Sequence, residues 1–135
     1  MINILVDESY AFDYLAILHI KYLKDSTNIQ KELNFRTCWD YIKNQIGNTL
    51  FKKIINSKEY KQCYKANAKT YDAVELAKKD KVKASYVDQC NYERFLIKQK
   101  IQEKFFNNKI TETKIGYELY QNLLNGRNNG SFTSL

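Results

Sequence analysis

The chain of 135 residues contains no proline and only four glycines. These two residues most often end helices and build the tight turns of β-rich folds. Their scarcity favours long, uninterrupted helices, and the length suits one domain. The sequence therefore predicts a mostly α fold, with a single helical domain over residues 1–124. The polar, glycine-containing residues 125–135 are predicted to form a flexible C-terminal tail.

A helical hairpin is predicted over residues 57–107. Ser57 begins a segment with one stripe at spacings of four, three, four and three residues, which is typical of a helix-packing seam. This stripe contains Tyr60, Tyr64, Asn67, Tyr71 and Val74. The pattern Ser85-Tyr-Val-Asp88 resembles a capping box and predicts the start of the next helix. A short connection between two long helices predicts that they pack antiparallel, against the N-terminal helices.

A small β element is expected at the beginning of the chain. Residues 2–6 read Ile-Asn-Ile-Leu-Val, a β-branched run that predicts a strand. A single strand leaves its backbone groups unpaired, so it needs a partner. We assign that partner to residues 113–117, although the spacing of apolar residues over 110–124 also fits a helix.

Composition and charge limit the cellular environments and the classes of partner that we expect for the protein. Lys and Arg number 22 against 15 acids, which gives a net charge of +7 and favours anionic partners. No apolar run approaches a membrane span and no basic signal-peptide start is present, so we expect a cytoplasmic protein without a membrane partner. Three cysteines without a CxxC pair and a single histidine argue against a disulfide scaffold and a zinc site.

The candidate ligand-binding residues lie on the two hairpin helices. Tyrosines interleaved with lysines are typical of a stacking platform with a cationic rim. Asparagine on a packing face and arginine beside aromatic residues suit phosphate contact and base stacking. The predicted binding residues are Asn67, Tyr71, Asn91, Arg94 and Lys65. Alternatively, the polar members form a structural network between the helices, closed by Asp88 or Glu93, and the tyrosines are core.

Four carboxylates on the same helices offer a second interpretation. Asp72 and Glu75 on one helix, facing Asp88 and Glu93 on the next, resemble the acid pairs with which all-helical nucleotide pyrophosphohydrolases hold magnesium. Those enzymes use Glu-x-x-Glu and Glu-x-x-Asp, and neither string occurs here. Lysine ion pairs on a solvated face explain the same acids. No cofactor is predicted except magnesium under this alternative.

Other reactive side chains are interpreted as packing residues. The single histidine, His19, has no carboxylate or nucleophile near it in sequence to orient it for catalysis. Cys38, Cys63 and Cys90 lie in or beside apolar stripes, where a small buried hydrophobe is expected. The segment from Asp7 to Tyr14 carries three carboxylates and two tyrosines, which serve either ligand contact or helix capping.

Three stretches of the sequence resemble small bacteriophage proteins without an assigned activity. They are Val6-Asp-Glu-Ser-Tyr-Ala-Phe-Asp-Tyr-Leu15, Ala66-Asn67 with Thr70-Tyr-Asp-Ala-Val74, and Val87-Asp88 with Asn91-Tyr-Glu-Arg94. The resemblance spans residues 1 to about 118. It implies an accessory protein that acts on the host's nucleic acid, machinery or defence, and no catalytic residue.

Three function classes follow from these observations. The first is a non-enzymatic protein that binds an anionic nucleotide or nucleic acid, with sequestration of a defence signal as its viral use. The second is the magnesium-dependent nucleotide hydrolase. The third is an inhibitor that binds a host protein through tyrosine-rich surface. A helix-packing seam with one polar residue can join helices of two chains as readily as two helices of one chain, so a homodimer is a further expectation.

Overall fold

The computed structural model describes residues 1–110, and within that range the protein is all-helical, so the predicted mostly α class is confirmed. Five helices follow one another with short connections. They are α1 (Glu8–Lys24), α2 (Ile29–Ile46), α3 (Asn48–Ile55), α4 (Lys58–Lys78) and α5 (Ala84–Phe106).

Local sequence signals explain most of the helix ends. The Ser57 side chain accepts a hydrogen bond from the backbone N–H of Tyr60 at 3.0 Å, which caps α4. The cap of α2 is Asn28, whose side chain accepts a hydrogen bond from the backbone N–H of Lys31 at 3.1 Å. Gly47 separates α2 from α3 with a φ of 91°, a value that side chains disfavour.

The predicted capping box at the start of α5 is wrong. The helix begins at Ala84, its N-cap is Lys83, and no side chain caps it. Ser85 therefore lies within the first turn, where its backbone is already helical. At the other end, Asn107 adopts the left-handed conformation that ends many helices.

The hydrophobic core lies where α1 meets the other four helices. Its ring contacts include Phe12 with Phe51 at 6.0 Å and Trp39 with Phe51 at 4.9 Å between centroids. Edge-to-face and offset ring pairs add stabilising free energy to that which comes from the apolar area they bury. The buried core residues are Phe12, Leu15, Ala16, Ile42, Phe51, Ile54, Tyr60, Cys63 and Ile101.

Helix α5 makes its most extensive contact with α4. Ion pairs join Glu59 to Lys104 and Lys69 to Glu93. The residue that comes later in α4 is therefore paired with the residue that comes earlier in α5. The most buried positions of α4 are Tyr60, Cys63, Asn67, Thr70 and Ala73. The predicted stripe is therefore shifted: Tyr64, Tyr71 and Val74 are half-buried, at the margin of this face.

The predicted β element is not confirmed. Residues 2–6 form no strand, and Ile2, Ile4 and Leu5 are largely exposed. No other part of residues 1–110 supplies a strand with which this segment could pair. The predicted partner at 113–117 and the predicted tail at 125–135 lie outside the described residues.

Across residues 1–110, none of the helices combines the length and the apolar character that a membrane crossing requires.

Candidate ligand-binding site

A buried carboxylate, Asp13 of α1, joins three helices. Its Oδ2 receives a hydrogen bond from Nη2 of Arg94 on α5 at 2.9 Å and lies 3.5 Å from Nζ of Lys98, one turn further along α5. Its Oδ1 accepts from Nδ2 of Asn67 on α4 at 2.7 Å. Asp13 is 5% exposed, so these partners replace the water that the carboxylate loses on folding.

Asn67 extends this network along α4. Its amide nitrogen also donates to the backbone carbonyl of Cys63 at 3.0 Å. The Cys63 Sγ lies 3.8 Å from Oδ1 of Asp13. Burial, reinforced by the Asp13 carboxylate, raises the pKa of the Cys63 thiol to about 12. The thiol therefore stays protonated at neutral pH and is not a nucleophile.

Arg94 is held on both sides. Its Nη2 meets Asp13, and its Nη1 donates to Oδ1 of Asn91 at 2.8 Å. The side chain is 18% exposed, while its Nε is buried and has no acceptor within residues 1–110. Lys98 is 4% exposed and its Nζ lies 4.3 Å from the ring centroid of Tyr10. Asp13 thus shares one negative charge between two cations.

A cavity of about 260 Å³ opens beside this network, between α1, α4 and α5. Asn67 and Arg94 contribute polar groups to its lining, and Tyr71 contributes an aromatic ring. The other lining residues are Ile17, Ile20, Thr70, Val74, Glu75 and Lys78. Apolar and polar side chains therefore share the wall, and two of the polar residues, Asn67 and Arg94, belong to the network of Asp13.

Two ion pairs lie at the α4 side of this cavity. Lys78 Nζ is 3.2 Å from Oε1 of Glu75. Lys24 Nζ lies 3.4 Å from Oδ1 of Asp72 and 4.8 Å from the ring centroid of Tyr71. Both pairs are substantially exposed, so solvent weakens them, but each lysine has an acid beside it.

The predicted binding residues are only partly brought together. Asn67, Tyr71 and Arg94 line the cavity, and Asn91 supports Arg94 through its side-chain oxygen. Lys65 is exposed and is not part of the lining. It precedes Asn67 by two positions, which turns it about 200° around the helix from Asn67. Arg94 is paired with Asp13 rather than with Asp88 or Glu93.

The four carboxylates of the magnesium alternative are not assembled into a site. Asp72, Glu75 and Glu93 each form an ion pair with a lysine, and Asp88 is exposed. In residues 1–110, no group of three or more histidine, cysteine, aspartate or glutamate side chains is placed to hold a metal ion. The geometry therefore gives this alternative no support.

His19 has the contacts of a packed side chain. Its ring stacks on Phe35 with centroids 4.4 Å apart and meets the edge of Tyr64 at 5.3 Å. Burial lowers its pKa from the ordinary value of 6.5. Cys63 and Cys90 are buried and Cys38 is half-buried, where burial raises the pKa of the Cys38 thiol to about 11.

Sequence reasoning missed two buried charged members of the network, Asp13 and Lys98. Asp13 was one of three acids at the start of α1, and its neighbours Phe12 and Leu15 are core residues. Lys98 was one of many lysines, although Ile97 and Ile101 flank it on a packing face. A charged residue between positions that pack into the core is the signal that could have found both.

Comparison with protein-family models, with curated protein sequences and with solved structures found no match.

Proposed function

We propose that the protein is a non-enzymatic binding protein that takes a nucleotide, either free or as a unit of a single-stranded nucleic acid, in the cavity between α1, α4 and α5. The observation that carries this proposal is the pairing of Asn67 and Arg94 with Tyr71 around one cavity. An aromatic ring with adjacent hydrogen-bonding side chains is how proteins hold single nucleobases.

The network behind the cavity supports a binding role because it fixes the polar groups in advance. Asp13 holds both Asn67 and Arg94, and Asn91 holds Arg94 from its other side. Side chains that are already ordered lose little conformational entropy when a ligand arrives. Such preorganisation raises affinity without any chemical step.

Within residues 1–110, the reactive side chains at the cavity have other partners or are protonated. The acid that lines it, Glu75, is ion-paired with Lys78, and the nearby Cys63 thiol is protonated. A base or nucleophile needs both reach and a matched pKa. A protein that binds a nucleotide without changing it suits sequestration, which is the role that the resemblance to phage accessory proteins brings to this proposal.

Equilibrium dialysis tests the proposal directly. The panel consists of nucleosides, nucleoside mono- and triphosphates, cyclic nucleotides and short single-stranded oligomers, each recovered afterwards to check that it is unchanged. We expect saturable binding of at least one member with one site per chain. Absence of binding across the panel at low salt contradicts the proposal, as does conversion of the bound compound in the presence of Mg²⁺.

A variant pair locates the site. Tyr71→Leu removes the aromatic wall and should weaken binding about tenfold, in line with the stacking energy of one base. Lys65→Ala is the matched control, since Lys65 lies on the same helix but is exposed outside the cavity. Equal effects of the two substitutions would place the ligand elsewhere.

A second candidate function is protein binding, which one observation favours. The apolar side chains Ile4, Leu5 and Val6 are exposed beside a groove of about 560 Å³ lined by Tyr41, Ile46 and other residues. Contiguous exposed apolar surface often marks an interface. Light scattering tests whether a second copy of the chain is the partner, because a homodimer has twice the 16.0 kDa mass of one chain. If the protein is a homodimer through this surface, Leu5→Ser should reduce the measured mass to that of one chain.

A further inference from the structure

We infer that the cavity recognises the uncharged base of its ligand, so that a nucleoside binds nearly as well as its phosphate. This inference rests on the proposed function and names which part of the nucleotide is held. It follows from the charges around the cavity, from the hydrogen-bonding groups left free and from the size of the space.

The cations at the cavity all have acids beside them. Arg94 is paired with Asp13 at 2.9 Å, and Lys78 with Glu75 at 3.2 Å. Lys24, over the Tyr71 ring, is paired with Asp72. A phosphate here must either break one of these pairs or bind next to a carboxylate, and both reduce its electrostatic gain.

Lys98 adds positive charge to the network but no contact surface to the cavity. It is the second cation on Asp13, but it is 4% exposed and is not among the lining residues. Its ammonium faces Asp13 and the ring of Tyr10. A phosphate in the cavity would therefore make no direct contact with Lys98, and the cations that it could contact are those paired with acids.

The free hydrogen-bonding groups match the edge of a base. Asn67 uses its amide nitrogen on Asp13 and Cys63, so its side-chain oxygen is the group that can accept from a ligand. Arg94 uses one hydrogen of each Nη on Asp13 and Asn91, and the second hydrogen of each of these groups can donate to a ligand. The Watson–Crick edge of a base carries a donor beside an acceptor, which side chains of this kind recognise.

The walls and the volume fit one planar ring system. Ile17, Ile20 and Val74 offer apolar surface, and Tyr71 offers a ring face or edge. At about 260 Å³ the cavity is smaller than the ~300–1,000 Å³ of pockets that hold drug-sized ligands. A single planar base is smaller than such ligands, so the inferred ligand is an unpaired base, of the kind that single strands present to proteins.

Titration calorimetry compares a nucleoside that binds in the dialysis panel with its 5′-monophosphate, at low and at moderate salt. We expect dissociation constants within about threefold of each other and little change with salt, since few phosphate contacts form. A preference of more than about threefold for the monophosphate overturns the inference while leaving the proposed function intact. Binding by neither compound removes the proposed function itself.

Two substitutions separate hydrogen bonding from charge. Arg94→Lys keeps a cation for Asp13 but loses the planar fork, so nucleoside affinity should fall about tenfold or more. Lys65→Gln removes an exposed charge of α4 outside the cavity and should leave nucleoside affinity unchanged. Thermal unfolding of each variant confirms that it is folded. Retained affinity in Arg94→Lys, or a matching loss in Lys65→Gln, would show that positive charge recognises the ligand.

Discussion

The two sides of α1 pack in opposite ways. One side presents Phe12 and Leu15 to the aromatic core, where stability comes from buried apolar area and close contact. The other side presents Asp13 to Arg94, Lys98 and Asn67, where burial costs free energy unless each polar group finds its partner. The first side tolerates similar side chains, whereas the second depends on particular pairs. The second side leaves hydrogen-bonding groups beside the cavity that Asn67, Tyr71 and Arg94 line.

The largest effect is expected from Asp13→Ala. Removing the carboxylate leaves Arg94 and Lys98 close together without their shared acid, and breaking a buried pair in this way costs about 3–5 kcal/mol. Urea unfolding measures the loss. The control is Asp72→Asn, which removes an exposed acid from the pair with Lys24 and should change stability by less than about 1 kcal/mol.

A triple replacement sharpens the contrast. Asp13→Leu with Arg94→Met and Lys98→Met converts the network to apolar packing of similar volume. Such exchanges are often neutral or stabilising by about 1–4 kcal/mol, so the triple variant should be at least as stable as the original protein. Its ligand binding should be lost. A triple variant less stable than Asp13→Ala would show that the network, and not apolar packing, holds the three helices together.

A smaller effect is expected on the aromatic side. Ile54→Val removes one methylene from a fully buried position and should cost about 0.5–1.5 kcal/mol. Because Ile54 does not line the cavity, ligand affinity should stay the same. Urea unfolding and dialysis on the same preparation test both statements. A tenfold loss of affinity would mean that the core and the cavity are coupled.

The smallest effect concerns pH. Burial lowers the pKa of His19 in the folded protein, so the unfolded chain takes up a proton first as the pH falls below the ordinary value of 6.5. The contribution of His19 to stability is therefore full above that value and declines as the pH falls toward the folded pKa. The chain has one histidine, so the midpoint of urea unfolding should change less between pH 7 and 5.5 in His19→Phe than in the original protein. An unchanged slope would assign the dependence to other groups.

Sequence spacing predicted the fold better than the site. Helical periodicity predicted the helix that follows Ser57 because a helix must present an apolar face to the core. Asn67 stood out as a polar residue on such a face, and Arg94 as an arginine beside aromatic residues. Asp13 did not, because it lies 81 residues before Arg94 and nothing local indicates that pairing. Lys65 lies outside the cavity lining, and interleaved tyrosines and lysines do not by themselves show which side chains share a face.

Nuclear magnetic resonance of the side-chain N–H groups tests the central claim most directly. A ¹⁵N-labelled protein is titrated with a nucleoside that binds in the dialysis panel, and the Asn67 amide and Arg94 guanidinium signals are followed. The Trp39 indole, in the aromatic core, serves as the internal control. We predict that the Asn67 and Arg94 signals and the Tyr71 backbone amide shift along one saturating curve while Trp39 stays fixed. Shifts restricted to exposed lysine-rich segments, with Asn67 and Arg94 unchanged at saturation, would contradict the account.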